Sequence, residues 1–184
     1  EMRDRETAEI GLRAAMTGHM VLSTLHTNDA VSTTSRLLDM GAAGYLVASS
    51  LQAVLAQRLV RKICNNCTEA YPPEHHEKVW LQNNPMPELD VVTFKHGRGC
   101  MQCNNTGYSG RVGVFEFLEL DENLADALRR EDNAEFSRLA RTTNAFQSLE
   151  QGALSLAMQG VTTLAEVIRV AGESGLFENL SNDE

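Results

Sequence analysis

Apolar and polar residues at the start of the chain follow first a helical and then a strand-like pattern. A charged cluster at residues 1–6 precedes apolar residues at helical spacing, and Asp4 is suited to cap the N-terminus of that helix. Gly18 ends the predicted helix, and residues 20–25 form an apolar run that predicts a short strand buried on both faces. This order is typical of half an α/β repeat, in which strands deliver polar residues to one edge of a sheet.

The helical pattern resumes after this strand. It predicts helices over about residues 29–40 and 44–56, and the sequence of residues 57–63 then predicts a second strand. Three consecutive polar residues are candidates for the N-cap of the first of these helices: Thr27, Asn28 and Asp29.

From residue 64 the chain is rich in turns and prolines and poor in apolar residues, and this composition continues to residue 103. Residues 111–119 have the pattern of a strand that returns to the main body. Helical spacing then predominates to about residue 171, with Asp121 as one N-cap and Thr163 and Glu166 as a capping box for the last helix. The predicted organisation is an α/β core over 1–63, an insertion over 64–103, a return strand within 104–120, a helical region over 121–172 and a flexible acidic tail over 173–184.

Composition narrows the class of protein. The 184 residues carry a net charge of −9, which disfavours general binding to nucleic-acid phosphates. Most of this charge lies in residues 121–184, which hold 5 basic and 12 acidic groups. We expect neither a transmembrane helix nor a signal peptide, because the sequence contains no long apolar run and begins with charged residues. A first residue that is Glu rather than Met suggests a piece of a longer protein.

The four cysteines form two C-x-x-C pairs, Cys64 with Cys67 and Cys100 with Cys103. Each pair can place two thiolates on one tetrahedral ion, so the four together predict a structural Zn²⁺ site with no open position for water. Two disulfides or four free thiols are the alternatives. The lack of a secretory signal favours a reducing compartment and therefore disfavours disulfides.

Two longer motifs resemble the secretion and pilus-assembly ATPases, the motors of type II secretion and type IV pilus systems. The first is E-M-R-D-R-E-T at residues 1–7, which is similar to the end of the Walker B segment. The second is T-G-H-M-V-L-S-T-L-H-T-N at residues 17–28, which is similar to the histidine box of these ATPases. The resemblance continues through 55–61 and 107–111 and covers roughly residues 1–171. A Walker A loop, G-x-x-x-x-G-K-[ST], is missing from these 184 residues.

The resemblance implies the later part of a RecA-like P-loop ATPase domain and assigns roles to several residues. Glu1 would orient and polarise the attacking water while Mg²⁺ bridges the phosphates of ATP, and His26 would sense or orient the γ-phosphate. Four further residues are candidates for contact with the nucleotide: Arg3, His19, Thr24 and Arg58.

Each of these candidates also has a structural interpretation. A histidine beside a buried strand is often a packed and hydrogen-bonded core residue, which applies to His19 and His26. Thr24 lies at the end of the predicted strand, Arg3 could balance local charge, and Arg58 could form a surface salt bridge. The glycines in 97–99 and 107–110 are better explained as turns around a zinc knuckle than as a phosphate cradle.

By resemblance, the whole protein is expected to be a hexameric cytoplasmic motor. It would use ATP hydrolysis to drive an inner-membrane platform protein and would associate with that membrane peripherally. An assembly motor is favoured over a retraction motor, because motors similar to PilT usually lack the tetracysteine module. The chain alone is expected to be inactive without a Walker A loop. The alternative is a zinc-stabilised module that binds protein or nucleic acid through a local basic patch: Arg58, Arg61, Lys62, Lys95, Arg98 and Arg111.

Overall fold

A computed structural model describes residues 1–84, 92–143 and 146–173 of the chain. Within these ranges the chain divides into two compact units. The first unit comprises the described residues of 1–56 and 116–147, and the second comprises the described residues of 57–115 and 148–173. In chain order the elements are α1 (Arg5–Met16), α2 (Ala30–Asp39), α3 (Gly44–Ser50), β1 (Ala53–Ile63), β2 (Thr68–Ala70), α4 (His75–Asn83), β3 (Lys95–Gly97), β4 (Tyr108–Glu119), α5 (Glu122–Arg129), α6 (Asn133–Thr142), α7 (Leu149–Met158) and α8 (Leu164–Glu173).

Aspartates cap helices where the sequence predicts them. The Asp4 side chain accepts the backbone N–H of Thr7 at 2.9 Å at the start of α1. Asp29, one of the three candidates for α2, accepts the N–H of Ser32 at 2.6 Å. Asp121 likewise begins α5, where it accepts the N–H of Leu124 at 2.9 Å. These bonds satisfy amides that have no partner within the helix, so the predicted helix starts are confirmed.

The predicted buried strand over residues 20–25 is wrong for the structure described. This segment has no regular secondary structure, and most of its apolar side chains are exposed, with Met20 at 90% and Leu22 at 89%, whereas Leu25 is partly buried. A strand needs neighbours that accept and donate backbone hydrogen bonds. Within the described ranges the two sheets are the pairs β1–β4 and β2–β3, and residues 20–25 join neither.

The helix predicted over residues 44–56 ends earlier than expected. α3 stops at Ser50, and β1 begins at Ala53. The hydroxyls of Ser49 and Ser50 bond back to carbonyls one turn earlier, at 2.7 and 2.8 Å, and so compete for the acceptors of the last turn. Residues 53–56 then enter β1, whose pairing with β4 overrides their helical spacing.

The first unit is a cluster of helices packed on the ends of β1 and β4. α3 packs against α1, α2 and α5, and α6 packs against α5 and α2. Its core is apolar, and the largest fully buried side chains in it are Leu37, Val47, Leu118, Leu124, Leu128 and Phe136.

The second unit holds the cysteines, the paired strands β2 and β3, and the helices α4, α7 and α8. β2 and β3 are antiparallel, with Glu69 opposite His96. α7 packs against α8, which also packs against α4. One of the two hydrogen bonds of the capping box predicted for α8 is present, because the Glu166 N–H donates to Thr163 Oγ1 at 3.3 Å. The Glu166 carboxylate instead accepts bonds from Arg61 and Arg169.

The proposed acidic tail lies outside the described residues apart from Glu173. In the part of the chain that the structure covers, none of the helices is long and apolar enough to span a membrane.

Candidate functional site

Glu1, Arg3 and His26 come together at the start of α1. One carboxylate oxygen of Glu1 is 2.6 Å from the Arg3 guanidinium, and the other is 2.7 Å from Nε2 of His26. The His26 ring is 89% exposed, whereas the Glu1 side chain is 26% exposed. The cluster therefore presents an imidazole to solvent with a carboxylate behind it.

A backbone contact brings these residues together although they are far apart in sequence. The N–H of Met2 donates to the carbonyl of Thr24 at 3.0 Å, so the segment before α1 lies beside the end of residues 20–25. Glu1 and His26 flank this bond. Thr24 contributes its backbone carbonyl to this arrangement.

The charge of Glu1 is well defined. The hydrogen bond from Arg3 is the largest of the causes, His26 among them, that together lower the pKa of this carboxyl to about 2. Glu1 is therefore ionised at neutral pH and can accept hydrogen bonds from a water molecule or a cationic group.

His19 lies apart from this cluster. Its Nδ1 is 3.1 Å from Thr17 Oγ1 and 3.3 Å from the carbonyl of Ala14, at the C-terminal end of α1. Glu1 and His26 meet at the opposite end of this helix, whose 12 residues extend about 18 Å. His19 thus caps a helix end, and the two predicted histidines do not share one site.

Arg58 belongs to the second unit, where its side chain is only 25% exposed. Its guanidinium donates to the carbonyl of Gln57 at 3.1 Å and lies 3.6 Å from the Glu173 carboxylate. These contacts agree with the salt-bridge interpretation of this arginine.

The four cysteines converge as the spacing predicts. Their Sγ atoms all lie within 4.8 Å of one another, with Cys64 to Cys100 at 3.9 Å, Cys67 to Cys103 at 3.8 Å and Cys100 to Cys103 at 3.7 Å. Four thiolates about 2.3 Å from a tetrahedral zinc ion would be separated by about 3.8 Å. The arrangement therefore fits a tetrathiolate metal site, and these separations are too long for disulfide bonds, which measure about 2.05 Å.

Backbone amides support charge on the sulfurs. Burial opposes ionisation of Cys103, but the N–H groups of Cys100 and Gly107 donate to its Sγ at 3.2 and 3.3 Å and help to lower its pKa. Burial raises the pKa of Cys67. A divalent cation would favour the ionised form of all four thiols.

Glycines shape the loops around the cysteines. Gly107 has a φ of 77°, and a Cβ on Gly97 would lie 2.1 Å from the carbonyl oxygen of Gly107. These glycines permit a close backbone approach beside the sulfur cluster, in agreement with their interpretation as turns of a zinc knuckle.

The tertiary contacts of two buried glutamates were not predicted from the sequence. Glu166 is 1% exposed and binds Arg61 and Arg169, whereas Glu116 is 3% exposed and binds the backbone of Ala30. A usable signal existed for Glu116, because it stands between the buried Val114 and Leu118 in an alternating strand, where an apolar residue is expected.

Comparison with known proteins places this geometry in a family. The family model described as type II/IV secretion system protein matches residues 1–169. The chain is 42% identical over 174 residues to the type II secretion system protein E of Pseudomonas aeruginosa, covering 94% of this chain and 34% of that protein. It is 44% identical over 174 residues to the type IV pilus assembly ATPase PilB of the same species, covering 92% and 30% of the two chains.

Solved structures share the fold of this chain. The pilus retraction motor PilT with bound ADP matches with a TM-score of 0.59 at 26% identity, over 92% of this chain and 37% of that chain. The Yersinia pseudotuberculosis ATPase DotB matches with a TM-score of 0.61 at 21% identity, over 95% and 36%. The class is therefore a mixed α/β fold consistent with a RecA-like ATPase domain.

The chain belongs to the type II/IV secretion system protein family, and the resemblance drawn from its motifs is confirmed. Its relatives include ATPases of type IV pilus assembly and proteins of type II secretion. The chain spans about a third of the length of the curated relatives that it matches.

Proposed function

We propose that this chain is the C-terminal part of a hexameric motor ATPase that powers type II secretion or type IV pilus assembly. The observation that carries the proposal is the 2.7 Å contact between Glu1 and His26, two residues far apart in sequence. The family supports it, because relatives named as ATPases of both systems match over more than nine tenths of this chain.

In this proposal Glu1 acts as the group that orients water. Its low pKa keeps the carboxylate ionised, so it can accept a hydrogen bond from a water molecule and orient and polarise that water. Arg3 holds the carboxylate in place from the side opposite His26. When bound, ATP would supply the phosphoryl group, and Mg²⁺ would neutralise the charge on the phosphates.

His26 is proposed to report on the γ-phosphate. A neutral imidazole can donate one hydrogen bond and accept one, so the ring can exchange Glu1 for another partner. Its exposure leaves it free to make that exchange. A change of partner at His26 would pass to the segment of residues 20–25 and to α2, between which it lies.

The cysteine cluster is proposed to be structural. Four sulfur ligands would hold one Zn²⁺ in a closed shell, which leaves no coordination position for a substrate. The ion would join the end of β1 to the turn before β4, where the Cys64 N–H already donates to the carbonyl of Gly107 at 2.9 Å.

The remaining assignments concern the whole protein. We infer a homo-hexamer in the cytoplasm that acts on an inner-membrane platform protein and associates with that membrane peripherally, with no nucleic-acid partner. We also infer that the 184-residue chain alone does not turn over ATP, because its sequence contains no lysine-bearing Walker A loop to bind the phosphates.

The test uses the full-length protein, which would include the phosphate-binding loop. Its steady-state ATPase rate is compared with those of Glu1→Gln and His26→Ala. Polarising the water and contacting the phosphate should each be worth about 2–3 kcal/mol of barrier, or roughly 30- to 150-fold in kcat. His76→Ala is the matched control, because it removes another exposed histidine whose partner is the surface residue Glu74.

Equal thermal stabilities would show that any loss is chemical. A loss of the expected size in both variants, with His76→Ala unchanged, would support the motor assignment. Unchanged rates in Glu1→Gln and His26→Ala would contradict it and would favour a zinc-stabilised interaction module.

A further inference from the structure

Glu116 is a carboxylate on the buried face of a strand. It lies in β4 between Val114 and Leu118, and all three are buried, whereas Phe115 and Phe117 between them are about half exposed. Burying a charged group is unfavourable unless hydrogen bonds replace its water. An apolar residue would satisfy the alternation of the strand, so the carboxylate needs a specific explanation.

The carboxylate reaches the start of α2. Its Oε1 accepts the N–H of Ala30, the first residue of that helix, at 2.7 Å. This amide has no partner within the helix, and the positive end of the helix dipole favours a negative charge there. Asp29 binds the Ser32 N–H, so two carboxylates hold the same helix start.

The helix start is in turn connected to the loop that precedes it. The Thr33 hydroxyl donates to the carbonyl of Asp29 at 3.0 Å and lies 2.8 Å from the Thr27 hydroxyl. Thr27 directly follows His26 in the chain. A chain of short contacts therefore runs from Glu116 through the first turn of α2 to the residue after His26.

We propose that Glu116 is a positioning residue for His26. By holding the amide of Ala30, it fixes the loop of residues 26–29, and this loop places the imidazole 2.7 Å from Glu1. The consequence for catalysis rests on the proposed role of His26 in ATP hydrolysis. The positioning itself is a structural statement that can be tested separately.

The kinetic experiment measures kcat and KM for ATP with full-length protein. The variants are Glu116→Ala, His26→Ala and the double variant, with Glu119→Ala as an exposed control on the same strand. A misplaced imidazole should lower kcat by about 10- to 100-fold with little change in KM. Because Glu116 acts through His26, the double variant should be no slower than His26→Ala alone.

Two further variants separate the hydrogen bond from general damage to the core. Glu116→Gln keeps an oxygen acceptor and should recover kcat to within about threefold of the wild type. Ala30→Pro removes the donor, and its ring displaces the Glu116 carboxylate from the helix start, while proline itself is favoured at the first position of a helix. This variant should reproduce the loss of Glu116→Ala, and it carries the test if Glu116→Ala does not fold.

Hydrogen–deuterium exchange of the same proteins tests the positioning independently of ATPase activity. Residues 26–33 should exchange faster, by about tenfold, in Glu116→Ala and Ala30→Pro but not in Glu119→Ala, while α6 stays unchanged. Unchanged exchange in residues 26–33 would overturn the proposal. A double variant whose loss in kcat equals the product of the losses in Glu116→Ala and His26→Ala would also overturn it. If His26→Ala keeps the wild-type rate, the proposed function fails, and the exchange result alone then decides whether Glu116 holds the loop.

Discussion

Replacing Glu166 with glutamine should destabilise the second unit strongly and in a pH-dependent way. The carboxylate is 1% exposed and accepts bonds from the Arg61 backbone N–H at 2.7 Å and from the guanidinium groups of Arg61 and Arg169 at 2.9 to 3.2 Å. The Arg61 guanidinium also lies 4.0 Å from the centre of the Tyr108 ring. One buried charge thus joins β1, β4 and α8.

The magnitude follows from the pKa of Glu166. Burial acts to raise it, but hydrogen bonds from Arg169 and Arg61 outweigh burial and lower it from 4.5 to about 2. At about 1.4 kcal/mol per pH unit, the interactions of the ionised form add about 3 kcal/mol to the free energy of unfolding. Since the folded pKa is depressed, this contribution is present above about pH 4.5 and is lost as the pH falls towards 2.

Urea unfolding followed by tryptophan fluorescence measures this effect. Trp80 is the one tryptophan of the chain, is buried in the second unit and lies on α4, which packs against α8. Glu166→Gln should lower the unfolding free energy by about 3 kcal/mol at pH 7, and the difference from the wild type should shrink between pH 4.5 and 2. Glu173→Gln is the matched control, because this carboxylate is exposed and its pairs with Arg58 and Arg169 should each be worth at most about 1 kcal/mol.

Two results would refute this reasoning. A loss at pH 7 no larger than that of Glu173→Gln would show that the buried ion pairs add no net stability. A difference between wild type and Glu166→Gln that stays constant from pH 7 to 2 would show that the ionised carboxylate is not the stabilising form.

Two other predictions concern the metal site and the first core. Protein purified without added zinc should contain about one Zn²⁺ per chain by elemental analysis. Cys100→Ser should reduce this zinc content and speed hydrogen exchange around Gly107. Wild-type protein that contains no metal would contradict the assignment. Phe136→Ala should lower the unfolding free energy of the first unit by about 3–5 kcal/mol, because the ring is fully buried among the helices. Urea titrations followed by circular dichroism measure this loss. A loss below about 1 kcal/mol would show a loosely packed core.

The histidines show how far a motif can lead without tertiary structure. His19 and His26 flank the same apolar segment, so the motif predicts that they lie in one site. The structure separates them to opposite ends of α1, and only His26 meets Glu1. A motif shows which residues occur together along the chain, but the path of residues 20–25, which run from one end of α1 to the other, decides which of them meets Glu1.

The segment of residues 20–25 shows the converse. Its apolar composition predicts a buried strand, yet most of its side chains, including Met20 and Leu22, are exposed in the structure described. Hydrophobic residues record a requirement for burial, and the pairing that satisfies it depends on other strands. The prediction therefore failed because the local pattern does not specify which strand would pair with this segment.

The sequence by itself determined the features that depend on near neighbours. These include the helix starts at Asp4 and Asp121 and the two C-x-x-C pairs, because capping bonds and paired ligands span only three residues. Tertiary structure alone decided the contacts of Glu116 with Ala30 and of Glu166 with Arg61, which join residues 86 and 105 positions apart. No local pattern specifies such partners, because a buried carboxylate accepts any donor that the folded chain brings to it.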